Sequence, residues 1–310
     1  MKSCKVYIAG HTGMVGRAVV RSLERAGYGD VITADRCTID LRDQRSVQEF
    51  FATKKPDIVI DAAARVGGIL ANRNFPYQFL MENLQIQNNL IDSSLDHNVQ
   101  KFIFIASSCI YPESAPQPLR EENLLSGPLE NNTEAYAVAK IAGVKACEAI
   151  RQQYQKQFFS LVPTNLYGSF DTFGAEKSHV IPAMIRKFDE AKVNGNTPVT
   201  LWGSGRPFRE FLHVDDLADA VKFAIENKME ENLYNVGTGS DLTIKALAEL
   251  IQNIVGHTGE IFWDSSKPDG TARKLMDVSK LKNKGWSSSV ELQDGLCKTY
   301  EWYSNNKKYI

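Results

Sequence analysis

Tyr136 and Lys140 stand four residues apart in the stretch NTEAYAVAKIAGVKACEAIRQQY. In a helix that spacing stacks both side chains on one face. An ammonium beside the phenol would favour the phenolate and draw the tyrosine pKa below its reference of about 10. Such a pair is suited to general acid–base work. Ser107 closes the apolar run KFIFIASS. A hydroxyl there can donate to a ketone oxygen while the tyrosine delivers a proton and a nicotinamide delivers hydride. Tyr-x-x-x-Lys alone is common in helices, so its weight depends on the rest of the chain. Cys109 stands two residues beyond Ser107, and on an extended chain both side chains would point the same way. Most free cysteines are small buried hydrophobes, which leaves a packed strand-end thiol as the plain alternative.

The rest of the chain supplies a cofactor loop. The apolar run KVYIAG leads directly into GHTGMVG, with Gly10, Gly13 and Gly16 spaced three apart. Glycines between a strand and a helix allow a tight turn and close backbone approach, so that helix-start amides can hold a pyrophosphate. Asp35 and Arg36 follow the next strand, where the adenosine ribose should lie. The carboxylate favours a ribose diol, as in NAD; the guanidinium favours the 2′-phosphate of NADP. The residues alone leave that choice open.

Short apolar runs alternate with helix-period segments: MVGRAVVRSLERAG, DVITAD, RSVQEFFATKK, DIVIDAAA, FLMENLQIQNNLIDSSLDHN, KFIFIASS and FFSLVPTNLYG. This predicts an α/β fold, a doubly wound parallel (Rossmann) sheet with a smaller C-terminal substrate-binding lobe. The expected division is 1–168 for the dinucleotide-binding part, with return segments near 206–237, and 169–310 mainly for the lobe. Within the lobe, LHVDDLADAVKFAIEN, TIKALAELIQNIVGH and LQDGLCKTYEWYSNN read as helices, the first with Asp215 or Asp216 at its start. We assign these two acids to capping and first-turn charge rather than to a metal.

A chain of 310 residues with net charge −1 carries no basic run of the kind that marks nucleic-acid binding. No apolar stretch reaches the length of a membrane span. Five scattered cysteines without a CxxC pair fit neither a disulfide framework nor a zinc site, and point to a reducing cytoplasm.

Taken together, the glycine loop, Ser107 and Tyr136-x-x-x-Lys140 resemble the extended short-chain dehydrogenase/reductases that act on nucleotide sugars. AAARVGGI, SSCIYP, YAVAKIAG, PTNLYG, SHVIPA, LWGSGRPFREFLHVDDLA and DGTARK, in this order, resemble the GDP-L-fucose synthase family over nearly the whole chain. The resemblance implies NADPH-dependent inversion at carbons 3 and 5 and reduction at carbon 4 of GDP-4-keto-6-deoxy-D-mannose. It gives Cys109 the role of base and His179 that of acid. The reference thiol pKa of about 8.5 falls beside an imidazolium, which makes the pairing chemically reasonable. Nucleotide-sugar dehydratases carry an acidic pair where this chain has Ser108 and Cys109.

The resemblance further places NADP(H) on the loop residues Gly10, Thr12, Gly13, Met14, Val15 and Gly16, and on Arg36, Asp40 and Leu41 after the second strand. Ala63, Ile105, Ala106, Ser107 and Ser108 would also line the cofactor site, with Lys140, Pro163, Asn165, Leu166 and His179. Asn165, Lys187, Trp202, Arg209 and Asp269 would hold the GDP-sugar. Two departures from the family pattern bear on this. Thr12 stands where some members have arginine, and Lys187 where arginine is usual. A homodimer packing through helices near 85–97 and 136–154 is also implied. Rival readings are a reductase of a related GDP-4-keto sugar, such as a 6-deoxyheptose, and a non-catalytic dinucleotide sensor. Retention of both Tyr136 and Lys140 argues against the sensor.

Overall fold

Residues 2–174, 178–267 and 269–308 are described by a computed structural model. The first apolar run forms β1 (Val6–Ala9), buried at every position, and Gly13 starts α1 (Met14–Arg25). Alternation continues through β2 (Val31–Ile32), α2 (Gln44–Lys54), β3 (Ile58–Asp61), a short α3 (Ile69–Asn74) and α4 (Pro76–Asp96). Then come β4 (Lys101–Ile105), α5 (Glu134–Tyr154) and β5 (Gln157–Pro163). The second half holds β6 (Asn165–Tyr167), α6 (Val180–Val193), β7 (Val199–Trp202), β8 (Phe208–Arg209), β9 (Phe211–His213) and α7 (Val214–Glu226). It ends with β10 (Leu233–Val236), β11 (Leu242–Thr243), α8 (Ile244–Val255), β12 (Ile261–Asp264), β13 (Arg273–Lys274), α9 (Ser279–Asn283) and α10 (Leu292–Asn306).

The central sheet runs β10-β5-β4-β3-β1-β2, all parallel, as the α/β alternation predicts. Period-two alternation divides its residues between two cores. Tyr7, Val59, Phe102, Phe104 and Phe158 meet α2, α4 and α5 on one face. Val6, Ile8, Ile60, Ile103 and Phe159 meet α1 and α7 on the other. A third core joins α6, α8 and α10 through Ile185, Phe188, Leu247, Ile251 and Leu296 in the C-terminal lobe.

Two local expectations are corrected. FFSLVPTNLYG is not one strand: β5 stops at Pro163, and β6 leaves to pair with β9. Thr164 Oγ1 and Asn165 Nδ2 donate to the Glu210 carbonyl, at 3.2 and 2.8 Å, and pull the chain off the sheet. The cap of α7 is His213, whose Nδ1 accepts from the Asp215 amide, rather than either aspartate. Asp215 pairs with Arg21, while Asp216 accepts from the Ser289 and Val290 amides. A short α3 also precedes α4.

Candidate active site

Strand β4 delivers Ile105, Ala106 and Ser107 to the C-terminal edge of the sheet, where ligands of open α/β folds bind. There the backbone turns. Ser108–Ile110 form a 3-10 turn with Ser107 as its cap, the Cys109 amide donating to Ser107 Oγ at 3.5 Å. The extended geometry expected for Ser107–Cys109 is therefore absent. Their proximity survives because the cap folds Cys109 back onto the serine. The Ser107 side chain lies near enough to both the Cys109 thiol and the Tyr136 hydroxyl to pull the pKa of each downward.

Helix α5 presents Tyr136 and Lys140 to this point. The Tyr136 ring meets Phe79 of α4 edge-on, with centroids 6.2 Å apart. Lys140 is 3% exposed, donates to the Ile105 carbonyl at 2.9 Å, and lies 4.5 Å from the Phe104 ring centroid. This engagement overturns the expected effect on the tyrosine. Burial, followed by charge on Cys109 and Asp61, holds the Tyr136 hydroxyl well above its ordinary pKa, and the Ser107 hydrogen bond offsets only part of that. Lys140 is fixed to the strand, with its nitrogen 5.9 Å from the tyrosine ring centroid. Tyr136 is thus held as a protonated acid.

The thiol likewise departs from expectation. Burial raises the Cys109 pKa, with the Ser107 hydrogen bond, Lys274 and Lys140 pulling the other way and Glu130 adding to the rise. Lys274 and Glu130 form an ion pair of 2.8 Å that both side chains half conceal. His179, the N-cap of α6, makes no hydrogen bond or ion pair with Ser107, Cys109 or Tyr136 among the described residues. Its side chain meets solvent, while the protein packed around it lowers the imidazole pKa. The thiolate–imidazolium pair is replaced by a buried thiol facing two ammonium groups.

The glycine loop fits a dinucleotide. At Gly10 (φ 80°) a Cβ would lie 2.7 Å from Ala63 Cα, and at Gly16 it would strike the Gly10 carbonyl. At Gly13 a Cβ would meet nothing closer than the Gly10 carbonyl, at 3.5 Å, and the residue caps α1 without any side-chain bond, leaving the first amides of the helix, at Met14 and Val15, free for an anion. Thr12 is exposed, its carbonyl accepting from Arg17 Nε at 2.9 Å. Asp35 is occupied: its carboxylate accepts from the Thr38 amide at 2.9 Å and hydroxyl at 2.8 Å. Arg36 is exposed and forms no ion pair with a described carboxylate. Asp40 pairs with Arg42 at 2.7 Å, which holds its carboxyl down at about 2. Leu41 packs against the core beside it, its carbonyl accepting from Asn89. Pro163, Asn165 and Leu166 lie at the β5–β6 junction.

Residues of the expected nucleotide end each bond a different neighbour in the lobe. Lys187 donates to the Thr200 carbonyl of β7 at 2.9 Å, two residues before Trp202, which is 56% exposed. Asp269 accepts from the Ser204 amide and hydroxyl at 2.6 and 2.7 Å. Arg209 donates to the Phe208 carbonyl at 2.7 Å; burial lowers its pKa, against the charges of Glu130 and Asp269.

Several residues of consequence escape sequence reasoning. Glu210 accepts from the Thr238, Gly239 and Met276 amides at 2.6, 2.7 and 2.8 Å, tying three chain segments together behind the site. Glu130 and Lys274 meet across 144 residues, and Asp61 lies wholly inside the sheet–helix layer. No periodicity or motif in a single chain marks them. Among the described residues there is no metal-binding cluster of three or more ligating side chains.

A parallel dinucleotide sheet whose fourth strand ends at a serine facing Tyr-x-x-x-Lys defines an extended short-chain dehydrogenase/reductase. Residues 6–237 match the NAD dependent epimerase/dehydratase family. GDP-L-fucose synthase 1 of Arabidopsis thaliana is 51% identical, over 98% of this chain and 94% of its own length. GDP-L-fucose synthase of Escherichia coli (strain K12) is 46% identical over 99% and 98%. The solved structure of a GDP-mannoheptose C4 reductase from Campylobacter jejuni with NADP bound superimposes with TM-score 0.90, at 39% identity, over 98% of this chain and 99% of that one. The chain belongs to the NAD dependent epimerase/dehydratase family, and within it to the group of GDP-L-fucose synthases.

Proposed function

We propose that this enzyme inverts carbons 3 and 5 of GDP-4-keto-6-deoxy-D-mannose and reduces its 4-ketone with NADPH, giving GDP-L-fucose. The observation that carries the reading is the Ser107 hydroxyl, which joins the acid of a reductase, Tyr136, to a buried thiol. Both carbons flank the ketone, so their protons become acidic once its oxygen is held. Ser107 and Tyr136 hold that oxygen and stabilise negative charge there, first as an enolate and later as an alkoxide. Cys109 removes the carbon-bound proton, with Lys274 and Lys140 favouring its thiolate. His179 returns a proton to the opposite face, and Tyr136 protonates the alkoxide.

When bound, the dinucleotide supplies the hydride. Met14 and Val15 amides hold its pyrophosphate, Lys140 its ribose, and Arg36 its 2′-phosphate. Thr38 holds Asp35 Oδ1 away to one side, which supports the NADP reading. Lys187, Arg209, Trp202 and Asp269 take the GDP moiety, the cations on the diphosphate and the indole against an apolar or aromatic face. We assign 1–168, with the return through β9 and β10, to the cofactor and 169–310 mainly to the sugar nucleotide. No helix among the described residues is long and apolar enough to cross a membrane, and the proposed location is the cytoplasm. Exposed Phe75, Tyr77 (69%) and Val138 on the α4–α5 side support a homodimer through that face.

The likeness to a GDP-mannoheptose C4 reductase favours one alternative, reduction of a related GDP-4-keto sugar with epimerisation left to another enzyme. Incubation with GDP-4-keto-6-deoxy-D-mannose and NADPH, followed by NMR of the product, separates the two. An L-fuco product supports the proposal, and a D-configured 6-deoxy sugar supports the alternative.

A further inference from the structure

Beneath Tyr136 and Lys140 lies a carboxylate that the proposed chemistry leaves unused. Asp61 ends β3, in register with Ala9 of β1 and Phe104 of β4. Cross-strand partners share a face, and both Ala9 and Phe104 belong to the core that packs on α4 and α5. Asp61 is 0% exposed. Its Oδ1 accepts from the Ala63 amide at 3.1 Å, while Oδ2 is buried without a hydrogen-bond partner. Tyr7 Oη on the adjacent β1 and Ser160 Oγ on β5, beyond β4, are buried and unpartnered too. An isolated carboxylate in such a layer is strongly disfavoured unless a cation compensates it.

The compensating cation is Lys140. Its ammonium donates to the carbonyl of Ile105, one residue beyond the register partner of Asp61, and has two further N–H groups to direct inward. The pair forms no direct salt bridge, yet each carries the charge effect of the other. Burial lifts the Asp61 carboxyl to about 6, against the pull of Lys140 and the Ala63 amide. Asp61 and Cys109 in turn oppose the lowering of Lys140 by burial. The other ionisable groups facing Asp61 are Tyr7 from β1 and Tyr136 and Cys147 from α5, and each is pushed up by it. All three are neutral at physiological pH, which leaves Lys140 as the charge that Asp61 serves.

We propose that Asp61 is the buried counter-ion of Lys140, a positioning residue that keeps the ammonium charged and fixed to Ile105 while it holds the dinucleotide ribose. The role of Lys140 toward the ribose rests on the function proposed above; the charge coupling itself does not.

The test uses Asp61→Asn, which keeps an oxygen for the Ala63 amide and removes only the charge. NADPH affinity is measured by fluorescence titration from pH 6 to 9.5. Without the counter-ion Lys140 loses its proton at lower pH, so the alkaline loss of affinity should move down by about one unit, with binding on the alkaline limb weakened by up to about tenfold. Superimposable profiles would overturn the proposal. A second readout needs neither turnover nor a folded Asp61→Asn chain: ¹³C NMR of aspartate carboxyls in the unsubstituted protein and in Lys140→Met. One resonance titrating near pH 6 is expected to move up by about a unit or more when the ammonium is removed. An unmoved resonance would overturn it. Absence of turnover on GDP-4-keto sugars would count against the proposed function while both readouts still decide the counter-ion.

Discussion

Ser107 caps the 3-10 turn that carries Cys109, its Oγ accepting from the Cys109 amide at 3.5 Å. The same hydroxyl reaches Tyr136. On the proposed function, proton removal and reduction would then share a single ketone-binding point at this side chain.

Removing the acid should separate binding from chemistry. Tyr136→Phe keeps the edge-on contact with Phe79 but has no proton to give. The kcat for ketone reduction should fall by roughly 10²–10⁴, with NADPH affinity changed by less than about twofold. Transient kinetics alongside fluorescence titration checks both numbers.

The thiol should impose a pH dependence of known sign. Cys109 is raised by burial, so its thiolate fraction, and with it proton exchange at carbons 3 and 5, should climb through the alkaline side of neutrality. Lys274 holds that pKa down, and Lys274→Met should push the rise to still higher pH. Exchange followed by NMR across pH 6.5–9.5 in the two proteins checks the order. A Lys274→Met profile lying at lower pH would contradict it.

Cofactor choice should follow Arg36 and not Asp35. Loss of a charge-assisted contact to phosphate is worth about 1.5–3 kcal/mol, so Arg36→Ala should cut the NADPH over NADH preference in kcat/KM by roughly 10–100-fold. Asp35→Asn should leave it within about threefold, because that carboxylate already serves Thr38. Steady-state comparison of the two coenzymes is sufficient.

Stability should carry the signature of the buried acids. Asp61 is raised in the folded state to about 6, above the roughly 3.9 of an unfolded aspartate. The folded chain then binds more protons between those values, so this group's contribution is full below about pH 4 and is lost as pH rises through about 6. Asp61→Asn should flatten that segment of the urea-stability profile. Glu210→Ala, by contrast, strands the Thr238, Gly239 and Met276 amides and should cost about 3–5 kcal/mol. A loss below about 1 kcal/mol would contradict the tie between those segments.

Much of this was legible in the chain. Strand and helix periodicity yields the parallel sheet because that information is local, and Gly10, Gly13 and Gly16 mark the loop because only glycine tolerates such approach. Tyr136 and Lys140 are local too, four apart on one helix. Their electrostatics are not. Whether Lys140 faces the phenol or the Ile105 carbonyl depends on where β4 lies against α5, and the raised Tyr136 follows from burial that no spacing encodes. Asp61, Glu130, Glu210 and Lys274 meet their partners only after the sheet closes. The Asp35–Arg36 pair is also qualified by a local bond, since Thr38, three residues on, holds Asp35 Oδ1.

The central claim is that one site both inverts and reduces. Reaction of GDP-4-keto-6-deoxy-D-mannose and NADPH in deuterated water, with NMR of the product, tests it most directly. The account predicts deuterium at carbons 3 and 5 of an L-fuco product, with incorporation abolished in Cys109→Ser. A reduced product without deuterium at those carbons, or undiminished incorporation in Cys109→Ser, would contradict it.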